Sequence, residues 1–329
     1  MSDQIEDKSK DTVSEDAAAA AYDRLFRKYR QLILLLLIAA VLFVIGFLVY
    51  GAAKSARGGA GQVKTDDKIS ALDARIKPDL TIELAPGVGM ELVKVKAGSF
   101  TMSRFDKANW KDETEHEVTL KNDFYLGVTE VTQEQWRAVT GGDPSSFKGG
   151  RRPVEMVSWN DAMEFCEKLN RGGKAPQGWK FTLPTETQWE FAARGGIRGR
   201  NCKYSGSDEL KEVGWYGDSD ADAAGGIKGA TRFVAAKRAN ELGLYDMSGN
   251  VWEWCLDDYV RESDKVLPES RLTVSASVDG KTVLSQYRTV RGGAWSKDAR
   301  FCRCGTRCYY AADARFNFIG FRVALVKAR

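Results

Sequence analysis

Three cysteines lie close together near the C-terminal end of the sequence, in the stretch FCRCGTRC. Cys302, Cys304 and Cys308 fall within seven residues. The other three cysteines are scattered upstream: Cys166, Cys202 and Cys255. Thiolates are soft metal ligands, whereas thiols outside the cytoplasm tend to pair as disulfides. The spacing does not choose among the many pairings that six cysteines allow. We expect disulfides or free core thiols, with a thiolate metal site as the alternative.

The sequence contains one histidine, His116, among 329 residues. Catalytic zinc and non-haem iron sites usually draw on two or three imidazoles, so those sites are excluded. A serine hydrolase triad would need His116 itself, and no G-x-S-x-G motif accompanies it. The net charge of +4 is spread among interleaved acids and bases, which argues against a nucleic-acid binder. We expect His116, in the charged run DETEHEV, on the surface.

The elements that position these residues show local signals. MELVKVKAGSFTM alternates apolar and polar residues as strands do and turns at Ala97–Gly98. Thr132 and Thr185 each precede a Gln by three residues, and Ser158 precedes an Asp by three, as in helix capping boxes. The helix predicted after Ser158 directs Cys166 to the core. Elsewhere 32 Gly and 9 Trp indicate a loop-rich fold in which large rings pin the turns.

Residues 31–53 contain no charged residue and are long enough to cross a bilayer as a helix. A cleaved signal peptide would have a shorter apolar core and a shorter charged start than this one. We therefore predict a transmembrane helix. Basic residues cluster more tightly before it than after it, which predicts a cytoplasmic N-terminus and an extracytoplasmic C-terminal domain.

These signals divide the chain into four parts: a cytoplasmic segment at 1–30, the transmembrane helix at 31–53, a flexible linker at 54–86 and a folded domain at 87–329. The linker contains AKSARGGAGQ, which is rich in Gly and Ala.

The folded part resembles the formylglycine-generating-enzyme (sulfatase-modifying factor) family. The blocks that carry the resemblance are GMELVKVKAGSFTM, YLGVTEVTQEQW, PVEMVSWNDAMEFCEKLN, FTLPTETQWEFAARGG, NELGLYDMSGNVWEWCLDDY, VRGGAW and NFIGFRVAL. They occur in the family's order over roughly 88–326. The resemblance implies an α+β, C-type-lectin-like fold that is loop-rich, with little regular secondary structure. In its blocks, Arg194, Arg291 and Arg322 are expected to brace loops, while Trp189 and Trp295 either line the old substrate groove or pack in the core.

The family's namesake oxidises a sulfatase cysteine with oxygen and a copper(I) ion held by two cysteines. Counted from Arg291, the family's serine position is Ala294, the first copper cysteine is Lys297 and the second is Cys302. A Lys ammonium cannot replace a thiolate on Cu(I). The resemblance therefore points to a divergent branch in which Cys302 is a structural residue, unless Cys304 or Cys308 folds back to complete a copper pair.

The family's calcium block is better preserved. Its positions are Asp246 and Glu253 by side chain and Gly249 and Val251 by backbone carbonyl, a set of hard oxygen ligands that suits Ca²⁺. The alternative is that GNVWEWCLDD only supplies core tryptophans and exposed acids.

The functional prediction is a membrane-anchored, non-catalytic binding or assembly module with structural calcium, whose partner is a protein or glycan outside the cytoplasm. The alternative is a formylglycine-generating oxidase with a rearranged cysteine site and Cu(I).

Overall fold

The structure is a computed structural model, and it describes residues 76–104, 114–217, 229–259, 273–278 and 281–328. The predicted cytoplasmic segment and the predicted transmembrane helix lie outside these residues. Within them, no helix has the length and apolar character needed to cross a membrane. The described residues belong to one compact unit, Arg75–Arg329.

The described part contains more strand than helix. Its strands are β1 (Leu80–Ala85), β2 (Val88–Val95), β3 (Gly98–Arg104), β4 (Thr114–Leu120), β5 (Phe124–Gly127), β6 (Trp179–Thr182), β7 (Trp252–Asp258), β8 (Thr273–Val278), β9 (Lys281–Arg291), β10 (Arg307–Ala311), β11 (Ile319–Gly320) and β12 (Ala324–Lys327). Its helices are α1 (Gln133–Thr140), α2 (Trp159–Arg171), α3 (Glu186–Ala193) and the single turn α4 (Leu210–Val213). Two short 3₁₀ segments lie at Gly196–Arg198 and Ala299–Cys302.

The strands form two larger sheets and a separate β3–β4 hairpin. The first sheet has the order β1-β2-β5-β12-β6, so the last strand of the chain lies inside it. The second has the order β10-β9-β7-β11, with β8 also paired to β9. Its β11–β7 pair is parallel, and the other described pairs are antiparallel. This topology pairs β7 with both β9 and β11, so segments distant in the sequence meet in one sheet.

The three predicted helix starts are confirmed. Thr132, Ser158 and Thr185 each accept a hydrogen bond from a backbone N–H three residues later, and the side chain at that position bonds back to the cap residue. These reciprocal bonds satisfy two N–H groups that a helix otherwise leaves open. The prediction that Cys166 faces the core is also confirmed, because it is 1% exposed on α2.

The folded domain extends N-terminal of the predicted start at residue 87. β1 pairs with β2 from Leu80 opposite Leu92 to Ala85 opposite Val88. Ile82 and Leu84 are buried while their neighbours face outward, as expected of a strand with one covered face. This hairpin turns at Pro86–Gly87, and Gly87 takes the left-handed conformation (φ +77°) that such a turn requires. The part of the linker from Leu80 onward therefore belongs to the sheet.

Candidate functional site

The loop after β9 lies directly on Cys302. Gly292 and Gly293 both have positive φ, +95° and +81°. A Cβ added to Gly293 would be 2.6 Å from the Cys302 Sγ atom. Glycine is therefore required for this close approach, and the loop covers the thiol from above.

Cys302 is a buried, protonated thiol. It ends the 3₁₀ segment, is 0% exposed and packs with Tyr204, Leu210 and Val213. Its Sγ donates to the carbonyl oxygen of Asp298 at 3.9 Å. Burial raises the pKa of this thiol to about 12, so the thiolate needed for metal binding is disfavoured.

Ala294, at the family's serine position, and Lys297, at the position of its first copper cysteine, differ in exposure. Ala294 is fully buried and packs in the main core. Lys297 is half-buried, and its ammonium lies 5.0 Å from the centre of the Phe318 ring. This cation is thus satisfied by an aromatic face near the surface.

The three clustered cysteines belong to three different apolar clusters. Cys302 packs as described, Cys304 lies with residues around Trp189, and Cys308 lies in the main core with Trp252 and Trp254. Cys304 Sγ donates to the Ala193 carbonyl at 3.7 Å. All six cysteines fall in the described residues and are free thiols. Of the two outcomes predicted together, the structure has free thiols and no disulfide.

A cavity of about 260 Å³ opens beside the loop of Ala294. Its lining consists of two tryptophans, a tyrosine, an arginine and small residues: Trp215, Tyr216, Gly217, Gly229, Ala230, Arg232, Trp295 and Ser296. Trp295 is half-buried, donates its indole N–H to Asn317 O at 3.1 Å and meets the edge of Phe147. The Trp215 ring is 3% exposed, and the Lys237 ammonium lies 4.1 Å from its centre. The cavity therefore combines aromatic walls with positive charge.

The other predicted groove residue, Trp189, does not line this cavity. It is fully buried and donates its indole N–H to Glu253 Oε2 at 2.7 Å. It packs in the core.

The predicted loop-bracing arginines all pair with buried acids. Arg194 lies 2.9 Å from Glu190, and Arg291 forms a buried pair with the same carboxylate and donates to Cys304 O at 3.0 Å. Arg322 makes a two-pronged contact with Glu253, at 2.6 and 2.7 Å, with both side chains 0% exposed. Its remaining N–H groups bond to backbone carbonyls of Gly127, Val128 and Tyr245.

Of the predicted calcium residues, Glu253 belongs to this pair and Asp246 interacts electrostatically with Arg322. Asp246 is 2% exposed and has a left-handed backbone (φ +57°). Its Oδ2 accepts the Ala235 N–H at 2.7 Å, whereas its Oδ1 has no hydrogen-bond partner among the described residues. Burial raises the pKa of Asp246 to about 6. Gly249 (φ +98°) and the fully buried Val251 lie between Asp246 and Glu253 in the sequence.

Sequence reasoning missed Glu130 next to this group. It is 0% exposed, and neither of its carboxylate oxygens has a hydrogen-bond partner among the described residues. Burial raises the pKa of Glu130 well above its usual range, and the charges of Asp246 and Glu253 raise it further. The sequence feature that could have indicated a buried acid is its position between Val128 and Val131, shortly after the end of β5.

Comparison with known proteins identifies the family of this domain. The sulfatase-modifying factor enzyme 1-like domain matches residues 83–327, most of the chain. The chain belongs to this family. The match begins within β1, in agreement with the extended start of the domain.

The chain is similar to relatives with different printed roles. It is 40% identical over 207 residues to the chaperone protein LppX of Paenibacillus barcinonensis, covering 51% of this chain and 71% of the relative. It is 32% identical to the formylglycine-generating enzyme of Streptomyces coelicolor, covering 59% of each chain. It is 29% identical to the inactive C-alpha-formylglycine-generating enzyme 2 of Bos taurus, covering 65% of this chain and 63% of the relative. The chain thus spans under two thirds of the last two.

The fold is also similar to a solved structure. Treponema denticola variable protein 1 superimposes with a TM-score of 0.59 at 29% identity, covering 74% of this chain and 98% of that one. The described residues of this chain combine many strands with few helices.

The two acids predicted to bind calcium differ in their contacts. Asp246 retains an open, buried oxygen of the kind a hard cation binds. Glu253 instead accepts hydrogen bonds on both oxygens, from Arg322 and Trp189. No three His, Cys, Asp or Glu side chains in the described ranges converge as a metal site. Calcium at this position fits Asp246 and stays a prediction.

Proposed function

We propose that this protein is a membrane-anchored, non-catalytic binding or assembly module of the sulfatase-modifying-factor family. The observation that carries the proposal is the state of the copper position. Lys297 stands where the family's first cysteine would be and contacts Phe318, while Cys302 is a buried thiol among apolar side chains. Two thiolates are needed for a linear Cu(I) site, and this arrangement offers none.

The names of the relatives are compatible with a role other than oxidation. One relative is called a chaperone protein and another an inactive enzyme. The aromatic cavity beside Ala294 supplies a binding surface with positive charge at Arg232. Aromatic faces suit both peptide side chains and sugar rings, so we propose a protein or glycan partner outside the cytoplasm.

The alternative function is a formylglycine-generating oxidase with a rearranged cysteine pair. It would require Cys304 or Cys308 to join Cys302, but the three thiols occupy different clusters, and burial raises the pKa of Cys302 and of Cys304 to about 12. Joining them would require repacking of two buried apolar clusters.

A copper titration separates the two functions. The full chain is purified under reducing conditions and titrated with Cu(I) against a competing chelator, beside Cys302→Ser and Cys304→Ser. We expect no stoichiometric tight site in any of the three proteins. Tight binding that is lost in Cys302→Ser, with oxygen-dependent conversion of a Cys-containing sulfatase peptide, would overturn the proposal.

The binding role is tested by comparing partners captured by the membrane-extracted chain and by Trp295→Ala. The variant removes one aromatic wall of the cavity and leaves the fully buried rings in place. We expect a defined partner to be depleted at least about tenfold, as for loss of an aromatic hot spot. Equal recovery of every specific partner would exclude this cavity as the binding surface.

The anchor is a separate part of the proposal and rests on the apolar run at 31–53. The full chain should stay in the membrane pellet after an alkaline carbonate wash, and deletion of residues 31–53 should release it. Release of the intact chain by carbonate would show that the segment does not span the bilayer.

A further inference from the structure

One buried residue, Asn250, holds the wall of the cavity beside Ala294. Asn250 is 0% exposed and has a left-handed backbone (φ +58°). Its backbone N–H donates to Trp215 O at 2.8 Å, and its carbonyl oxygen accepts the Trp295 N–H at 2.8 Å. Its side-chain oxygen accepts the backbone N–H of Arg232 at 2.8 Å. Three wall residues from three separate segments are therefore fixed by the same asparagine, so the cavity is preformed.

Two side chains of this wall supply only hydrogen-bond donors. Arg232 is 4% exposed, and its Nη1 donates to Ala230 O at 3.2 Å. Trp215 is 3% exposed, and its indole N–H has no hydrogen-bond partner in the part of the chain that the structure describes. Neither a guanidinium nor an indole can accept a hydrogen bond. A buried N–H group normally has a partner, so the Trp215 indole favours a ligand that carries an acceptor atom.

The charge of the wall favours a negative ligand. The Arg232 guanidinium lies 5.5 Å from the centre of the Trp215 ring, and the Lys237 ammonium lies 4.1 Å from the same centre. Burial lowers the pKa of Arg232, and the charge of Arg152 lowers it further. None of the described residues that line the cavity is an Asp or a Glu. A carboxylate in this place would offset the crowded cations, and the planar fork of an arginine matches its two oxygens.

The size of the cavity and its ring contacts favour an amino-acid side chain over a sugar. The volume of about 260 Å³ is below the roughly 300–1,000 Å³ of pockets that enclose drug-sized ligands. Two cations already lie against the Trp215 ring, and Trp295 packs against Phe147 at 5.4 Å between ring centres. A sugar ring needs an open aromatic face, whereas an acidic side chain needs the donors and the positive charge.

We propose that this cavity binds the side-chain carboxylate of an Asp or Glu in a protein partner, with Arg232 and the Trp215 indole as the recognising groups. The inference rests on the binding part of the proposed function and names the chemistry of the partner at that site. Asn250 is a positioning residue, because it bonds to the wall without lining the cavity. Ser296 is an exposed residue of the same wall, so its side chain can be changed without removing a buried contact.

The experiment begins with two arrays of probes. The full chain, extracted in detergent, is applied to an array of capped hexapeptides of random sequence and to an array of oligosaccharides that includes uronic acids. We expect the bound peptides to be enriched in Asp or Glu. The peptide that binds most tightly is then titrated by calorimetry. The same peptide with its acid changed to the amide should bind at least about tenfold more weakly.

Variants of the wall test the recognition in the same titration. Ser296→Glu should bind the acidic peptide at least about tenfold more weakly than Ser296→Gln, because the two side chains have similar size and differ in charge. Arg232→Lys should weaken binding by a similar factor, since lysine lacks the fork. Arg238→Gln is the control, because Arg238 pairs with Glu212 at 3.0 Å and does not line the cavity. It should bind as the wild type does.

If Arg232→Lys does not fold, the two Ser296 variants decide, and equal affinities of these two would overturn the inference. Peptides that lack an acid but are lost in Trp295→Ala would also overturn it and leave the binding function standing. A uronic-acid oligosaccharide that distinguishes Ser296→Glu from Ser296→Gln would replace the protein partner with a glycan. If neither array yields a ligand that Trp295→Ala loses, the inference and the binding role of the cavity both fall, while the copper titration still tests the non-catalytic function.

Discussion

Cysteine chemistry in this domain is set residue by residue through burial. Cys166, Cys255, Cys302, Cys304 and Cys308 are all buried. Burial raises the pKa of the thiols of Cys166, Cys255, Cys302 and Cys304. Cys202 is only half-buried. Since the thiolate is the reactive form, position in the core makes most of these thiols inert.

Thiol accessibility should follow this division. In the native protein we expect one of the six cysteines, Cys202, to react with an aromatic disulfide reagent, and all six to react after unfolding in denaturant. Cys202→Ser should leave no rapidly reacting thiol in the native state. Rapid reaction of a second native thiol would contradict the packing described for the FCRCGTRC stretch.

Glu155 makes stability depend on pH. Its Oε1 accepts the Phe147 N–H at 2.8 Å, and burial raises its pKa to about 7. The folded state therefore keeps a proton on Glu155 that the unfolded state releases near pH 4.5. The contribution of Glu155 to the free energy of unfolding is therefore complete below pH 4.5 and is lost as the pH rises through 7.

Glu155→Gln should remove the loss of stability that ionisation of Glu155 causes, because glutamine does not ionise. Relative to the wild type, the free energy of unfolding of the variant should rise by about 3 kcal/mol between pH 4.5 and pH 8. Urea unfolding at both pH values measures the difference, with Glu115→Gln, at an exposed position of β4, as control. A constant difference across the range would mean that Glu155 titrates normally.

At the scale of elements, tight loops and buried ion pairs hold the two sheets together. The Gly292–Gly293 turn brings the end of β9 onto the 3₁₀ segment of Cys302. Arg322 joins the end of β5 to β7 through Gly127 O and Glu253. Both the turn and the ion pair join groups that are far apart in the sequence.

Two glycines with similar backbone angles should respond differently to alanine. Gly141 (φ +75°) ends α1 with open space at its Cβ position, so Gly141→Ala should cost about 1–2 kcal/mol of stability. At Gly293 (φ +81°) the added methyl meets Cys302 Sγ, Cys302 Cα and Phe301 O within 2.9 Å. Gly293→Ala should cost at least about 2 kcal/mol more, measured by chemical denaturation. Equal losses of stability in the two variants would show that the loop around Cys302 can shift to make room for the methyl group.

Two forked arginine pairs provide a second comparison. Arg322–Glu253 is fully buried, whereas Arg315–Asp161 has side chains that are 49% and 30% exposed. Lysine cannot reproduce the fork. We expect Arg322→Lys to cost about 3–5 kcal/mol and Arg315→Lys no more than about 1 kcal/mol in the free energy of unfolding. Similar small costs would mean that a lysine side chain recovers the buried contacts of the arginine.

At the scale of the whole molecule, the domain closes only when its two ends enter one sheet. β1 and β2 near the start of the domain and β12 at its end belong to the same five strands. The position of β1 at the sheet edge means that its removal would uncover β2 and the inner faces of Ile82 and Leu84.

Truncation should therefore separate two candidate domain boundaries. A chain that begins at residue 76 should unfold cooperatively, and one that begins at residue 87 should be about 3–6 kcal/mol less stable, because it loses two buried aliphatic side chains. Denaturant melts of the two purified chains give the difference. Equal stability would restore the boundary at residue 87.

The sequence by itself determined the local elements and the family. The helix starts at Thr132, Ser158 and Thr185 follow from bonds between residues three apart, and the strand pattern of β2 and β3 follows from alternation along one segment. The order of the family blocks is enough to place Lys297 at the copper position. Each of these depends on neighbours in the chain.

Only the tertiary structure decided which groups meet. It separated the three clustered thiols, added β1 to the sheet and brought Glu130 within electrostatic range of Asp246, more than a hundred residues later in the sequence. It also directed Arg322 to Glu253 across 69 positions of the sequence. Burial and charge pairing arise from contacts that local pattern does not encode, so the chemistry of these side chains follows from packing.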